Sequence, residues 1–192
     1  MPQPDSAALH FLMTRRSRPA KTLRAPGPSR AELLPLLTAA ARTPDHGKLE
    51  PWRFMVLTKP ALVRLAELVA GIGPDSGLGP DQIAKMEAQF ATAEVVVAVI
   101  ACPVPSDKVP AIEQTLSAGA VCLSLLNAAL AAGWGANWLT GWASHDRRFM
   151  TEGLGLAEEE YVAGFIHIGT ETVAPPERPR PNLDAKVTWV EE

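Results

Sequence analysis

The sequence predicts one compact domain that mixes helices with strands. Three observations predict it. A chain of 192 residues that is 47 % hydrophobic can fill a substantial core. EVVVAVIA, 94–101, is an unbroken apolar run of strand length. AIEQTLSAGAVCLSLLNAALAAG, 111–133, is long, nearly uncharged and rich in small residues, as a helix buried on most sides should be. The domain is expected to span 1–192, with an extended C-terminal arm from about 171.

Asp5 or Ser6 can cap a first helix carrying Leu9, Leu12 and Met13, which ends by delivering Arg15, Arg16 and Ser17. Ser29 followed by Glu32 is a capping-box pattern ahead of AELLPLLTAAA, a second packed helix ending near Pro44. The loop RTPDHGKLEPWRF, 42–54, comes next and crowds charges and a histidine into one connection. WRFMVLT, 52–58, is β-prone and bounded by prolines, hence a strand. Pro60 suits the first turn of a helix running to Gly71. A Gly/Pro-rich loop to Pro80 then precedes helical DQIAKMEAQFA. NWLTG, 137–141, and YVAGFIHIGT, 161–170, read as two further strands with a short helix around HDRRFM between them. The tail APPERPRPNLDAKVTWV is too irregular to build core, and its β-prone VTWV ending suggests an arm with a docking partner.

A net charge of −3 and a pI near 5.8 give no global attraction to nucleic acid or to an anionic membrane, so an anion site must come from locally grouped arginines. The opening MPQPDSAALHFLMTRRS lacks the pattern of a secretory signal, which predicts a cytoplasmic protein. Segment 111–133 approaches bilayer-spanning length, but its scattered Glu113, Gln114, Ser117, Ser124 and Asn127 and its lack of cationic flanks argue for a core helix instead. Cys102 and Cys122 are the only cysteines, with neither a disulfide framework nor a zinc pattern.

Arg15-Arg16-Ser17 offers two guanidinium forks and a hydroxyl, suited to a phosphate. Alone, it is equally a pair of cations at the end of a helix dipole. Arg42 with His46 is a second basic pair, and alone it reads as loop hydrogen bonding. His10, His145 and His167 stand in separate elements and read as ordinary surface or core residues. Neither GxGxxG after a strand nor GxxxxGK[ST] occurs, and GxSxG and HExxH are absent. That removes a Rossmann site, a P-loop and two common hydrolytic schemes.

Taken together, RRS at a helix exit, R-x-P-D-H-x-x-x-x-P-W-R-F, the small-residue helix and the following G-x-N-W-L-T-G resemble the FMN-dependent nitroreductase family, in its compact Pro-Asp-His/Pro-Trp subgroup. The resemblance implies an α+β nitroreductase-like fold, a central β-sheet flanked by helices, in an intertwined homodimer with FMN at two interface sites. It implies that Arg15, Arg16 and Ser17 contact the flavin phosphate and the polar edge of its ring. Arg42 and His46 would reach the flavin held mainly by the other subunit. Trp138, Leu139 and Thr140 would lie along the isoalloxazine, with the Gly141 amide toward N5. Many relatives carry a cation two positions after RRS, where this chain has Pro19, and Arg18 and Lys21 are the available substitutes. Reduction puts negative charge on that edge of the ring, so the substitute matters. Arg180, before PNLD, resembles the arginine that some relatives place on the phosphate. The implied activity is ping-pong hydride transfer from NAD(P)H through FMN to a nitroaromatic or quinone-type acceptor, with no side chain required as an acid. The alternatives are a flavin-holding or redox-sensing protein with little turnover, and an interaction scaffold without cofactor.

Overall fold

The structure, a computed structural model, describes residues 3–191. In chain order its elements are α1 (Ser6–Thr14), β1 (Leu23–Arg24), α2 (Arg30–Ala40), β2 (Trp52–Leu57), α3 (Lys59–Ile72), α4 (Pro80–Ala91), β3 (Val95–Ala101), α5 (Ala111–Ala131), β4 (Gly135–Leu139) and β5 (Tyr161–Glu171). All strand pairs are antiparallel, in the order β1-β5-β3-β2. β4 pairs with β5 along 165–169 and β1 pairs with it at 170–171. Since β3 occupies the other edge of β5, β1 and β4 share one edge.

Alternation along the central strands builds two cores. Val96, Ala98 and Ile100 of β3 face α3, α4 and Phe149. Val95, Val97 and Val99 face α2 and α5. Covered on both faces, β3 is apolar at every position, which explains its unbroken hydrophobic run.

The expected caps form. The Asp5 carboxylate accepts from the Ala8 amide at 2.9 Å. Ser29 Oγ accepts from Glu32 N at 3.3 Å, while the Glu32 carboxylate accepts from Ser29 N at 2.8 Å. Several expectations are corrected. α2 stops at Ala40 rather than near Pro44: the Ala41 amide makes the last i→i−4 bond, to Leu37 O, and the Arg42 and Thr43 amides close the end with i→i−3 bonds to Ala39 O and Ala40 O. β4 ends at Leu139, which leaves Thr140 and Gly141 in the connection after it. The short helix expected around HDRRFM forms over 147–154 with a π-helical turn at Phe149–Gly153, after a 3₁₀ turn at Trp142–Ser144. VTWV forms no strand, and Trp189 is 84 % exposed.

α5 differs most from expectation. By length and composition it could cross a bilayer, yet Ser117, Ala118, Val121, Cys122, Leu125 and Ala129 pack beneath the sheet. It is buried on this side only, since Ile112, Leu116 and Leu123 are exposed. α1 buries none of its residues, and Leu9, Leu12 and Met13 are exposed.

Candidate cofactor site

At the end of α1, Arg15 takes an extended conformation, and its amide closes the helix on Phe11 O at 2.8 Å. Arg15 Nη2 donates to Ser17 Oγ (2.9 Å), and Arg16 Nη2 donates to the carbonyl of Pro176 (3.0 Å). This last bond joins residues 160 positions apart and draws the C-terminal arm across the helix exit. The arm thereby brings Arg178 and Arg180 to a cavity of about 530 Å³ shared with Arg15, Arg16 and Ser17.

The cluster is short of negative charge. Glu171 pairs with Arg18 at 3.1 Å and Glu177 with Arg180 at 2.9 Å, two carboxylates among the guanidinium groups of Arg15, Arg16, Arg18, Arg178 and Arg180. Burial first, and then the charges of Arg180, Arg16 and Arg18, hold the Arg15 guanidinium below its ordinary pKa. Among the described residues, Nε of Arg15 and Nε of Arg16 are both buried without a hydrogen-bond partner. Buried donors of this kind are normally satisfied. A phosphate supplies the missing acceptors and cancels the mutual repulsion of the arginines, so the residues fit the terminal phosphate of FMN.

Beyond this cluster, a groove of about 540 Å³ runs between α4 and β4, lined by Lys21, Arg24, Lys85, Asn137 and Leu139. Of the two substitutes for Pro19, Lys21 lines the groove, while Arg18 is engaged with Glu171. The Asn137 amide donates to Arg18 O at 2.7 Å, and Arg18 N donates to Ala136 O at 2.8 Å. These two bonds fix the segment carrying Pro19 against β4.

The β4 block divides by strand alternation. Leu139 faces the groove, but Trp138 turns to the opposite side and packs with α2 and α5. Its indole lies directly over Gly164, where any Cβ would collide with it. The Trp138 side chain is half-buried against this core, and Leu139 is the side chain of the block that lines the groove. Thr140 and Gly141 are exposed, and Gly141 has φ 143°, which a glycine accepts readily.

The 42–54 loop is stitched to α5 rather than to the arginine cluster. Thr43 and Ser124 hydroxyls meet at 2.9 Å, Ser117 Oγ donates to Pro44 O at 3.0 Å, and Trp52 Nε1 donates to Ser117 Oγ at 3.1 Å. Asp45 Oδ1 accepts from the amides of Leu49 and Glu50, which supports left-handed backbone at Lys48 and Glu50. Arg42 and His46 are exposed. His46 Nδ1 meets Glu113 at 2.7 Å. Among the described residues neither side chain shares a hydrogen bond or ion pair with Arg15, Arg16 or Ser17.

Three residues with a place in this region were not picked out in the sequence: Arg178, Lys85 and, as more than a core residue, His167. Arg178 had a signal, since R-P-R-P holds two arginines on an extended, pre-ordered chain. Lys85 had none, because its position depends on how α4 packs. His167 is 3 % exposed, and burial lowers its pKa to about 4. The unfolded chain therefore takes up the proton first. Stability is complete above pH 6.5 and is lost as pH falls from there toward 4. Urea unfolding at pH 4.5 is expected to show about 2 to 3 kcal/mol less stability than at pH 7.5 from this group. His167→Leu should remove that portion of the pH dependence, and an unchanged slope would contradict it.

The family model for the nitroreductase family matches residues 12–170. A Haemophilus influenzae protein with the provisional name NAD(P)H nitroreductase is 36 % identical over 165 residues, covering 85 % of this chain and 88 % of its own. YdjA of Escherichia coli K12, provisionally named in the same way, is 31 % identical over 163 residues, covering 85 % and 87 %. Among solved structures, a nitroreductase-like family protein from Bacillus cereus superposes with a TM-score of 0.80 at 22 % identity and covers the whole of both chains. The FMN and NADPH-dependent nitroreductase NfnB from sphigopyxis sp. strain HMH gives 0.71 at 20 % identity, covering 95 % and 98 %. The fold, the span of the family match and the two sequence relatives agree: this chain belongs to the nitroreductase family.

Proposed function

We propose that the chain is a single-domain, homodimeric FMN oxidoreductase that passes hydride from NAD(P)H to an electron-poor acceptor of the nitroaromatic or quinone type. The observation that carries the reading is the pair of buried, unpartnered Nε donors of Arg15 and Arg16 in an arginine cluster short of carboxylates. In this account Arg15, Arg16, Ser17 and Arg180 hold the phosphate, joined by Arg178. Lys21 balances charge at the polar edge of the ring, and Leu139 and the Thr140–Gly141 backbone line its length. Bound FMN supplies the hydride chemistry, and the protein supplies position and electrostatics. With no dinucleotide fingerprint in the sequence, the nicotinamide visits the site and leaves before the acceptor enters. Steady-state rates with NADH and NADPH across several acceptors test this, and parallel double-reciprocal lines are the expected pattern. Intersecting lines, or no turnover with any pair, would contradict it.

Two apolar faces support the dimer. Leu9, Leu12 and Met13 on α1 and Ile112, Leu116 and Leu123 on α5 are exposed together in the single chain, as interface residues are before assembly. Arg42 and His46 sit on the loop fastened to α5, so a partner docked on this helix would receive them. Nothing lies within 4 Å of a Cβ built at Gly119, so a lysine there is tolerated by the isolated chain. Gly119→Lys is expected to sediment as a folded monomer with little flavin. A variant that stays dimeric and fully flavinated would place the interface elsewhere.

A further inference from the structure

The groove between α4 and β4 carries a second concentration of positive charge, apart from the arginine cluster. Lys21, Arg24 and Lys85 line it, no acidic residue does, and it shares no lining residue with the cavity that holds Arg15 and Arg16. We propose that this groove makes the protein selective for NADPH over NADH, with Arg24 and Lys85 meeting the 2′-phosphate on the adenosine end of the nucleotide. The inference rests on the flavin oxidoreductase reading, to which it adds the choice of nicotinamide.

The charge is local and uncompensated. The chain as a whole has a net charge of −3, yet among the described residues none of these three cations forms an ion pair. Arg24 is held by backbone instead: its Nη1 donates to Lys21 O and to Leu23 O, both at 2.8 Å. Those bonds fix a guanidinium at the groove without neutralising it. Lys85 comes from α4, on the facing wall, so an anion between the two is met from both sides.

The layout fits a dinucleotide. Leu139 stands opposite Phe165 of β5 and Arg24 opposite Thr170, a separation of about 17 Å at the rise of a strand. The Leu139 end adjoins the place given to the flavin ring, and the Arg24 end lies away from it. Between them Pro19, Ala20 and Ala93 form a half-buried apolar floor on which an adenosine can lie, while the three cations stand exposed along the rim. NADH and NADPH differ only at the adenosine 2′ position. Where dinucleotide sites tell them apart, a carboxylate accepts from the 2′-hydroxyl of NADH, whereas an arginine meets the 2′-phosphate of NADPH. A phosphomonoester carries a charge of about −1.5 to −2 at pH 7. A groove with cations on its rim and no carboxylate is of the second kind.

The test is calorimetric titration of the FMN-loaded protein with NADP⁺ and with NAD⁺, which reads binding without turnover. NADP⁺ should bind about tenfold more tightly, the sum of two exposed cation–phosphate contacts. 2′,5′-ADP should exceed 5′-AMP by the same factor, and the difference should shrink as salt is raised, because the contacts are exposed. Arg24→Ala and Lys85→Ala should each lower the ratio of NADP⁺ to NAD⁺ affinity about threefold, and the double variant should bring it to about one. Lys85 is exposed on α4, so Lys85→Ala decides the matter if the loss of the Arg24 backbone contacts disturbs the fold. Equal affinity for NADP⁺ and NAD⁺ in the wild type, or a preference that survives the double variant, would overturn the proposal. The ADP titration needs no flavin and reads the groove even in flavin-free protein. A bound flavin bleached equally well by NADH and NADPH would remove this inference and leave the oxidoreductase reading standing, whereas a flavin bleached by neither would remove that reading.

Discussion

Arg15→Ala is expected to weaken FMN binding by about tenfold to a hundredfold, the loss of a charge-assisted contact of about 1.5 to 3 kcal/mol. The same substitution is expected to leave the flavin-free protein no less stable. Arg15 lies against Arg16, Arg18 and Arg180, and its buried Nε has no partner among the described residues, so in the absence of an anion its removal relieves repulsion and an unmet donor together. This opposite sign separates a binding residue from a structural one. A guanidinium that served only to terminate α1 would, when removed, lower stability with or without flavin. Fluorescence titration with FMN and thermal melts of the apoprotein measure the two effects. An unchanged dissociation constant would exclude the phosphate role.

Flavin and dimer should be linked. If the Arg42–His46 loop of one subunit reaches the flavin held by the other, FMN binds the assembled state only, and each site contributes RT ln(1 + [FMN]/Kd) to assembly. At a hundredfold excess over Kd that is about 2.7 kcal/mol per site. Two sites together shift the dimer constant by roughly ten-thousandfold. His46→Ala should reduce both FMN affinity and this linkage. The fold should survive, because His46 is exposed and its side chain meets exposed Glu113. Analytical ultracentrifugation with and without FMN, on wild type and variant, measures the effect. A wild-type dimer constant that ignores FMN would place the cofactor within one subunit.

Features fixed by neighbouring residues were legible in the sequence. The Ser29/Glu32 box, Pro60 in the first turn of α3 and the valine run of β3 depend on local capping, φ restriction and period, and they form where the pattern puts them. RRS at the exit of α1 is of the same kind. Features fixed by distant residues were not legible. β1 is two residues long and exists because the end of β5 extends past β4. The seat of the Trp138 indole was hidden because Gly164, which makes room for it, lies on another strand. The exposed half of α5 carries the same apolar letters as its buried half, so the sequence predicted burial on most sides. The Arg16–Pro176 bond, which assembles the arginine cluster, joins opposite ends of the chain.

The central claim is that this chain holds FMN where a reduced nicotinamide can reach it. Anaerobic mixing of the FMN-loaded protein with NADH or NADPH tests that most directly, with flavin absorbance followed by stopped flow. The account requires full bleaching with at least one of the two nicotinamides within the turnover time, followed by recovery of the absorbance when a quinone is added. A protein that binds FMN stoichiometrically but is bleached by neither would be a flavin holder or sensor, and the oxidoreductase reading would be wrong.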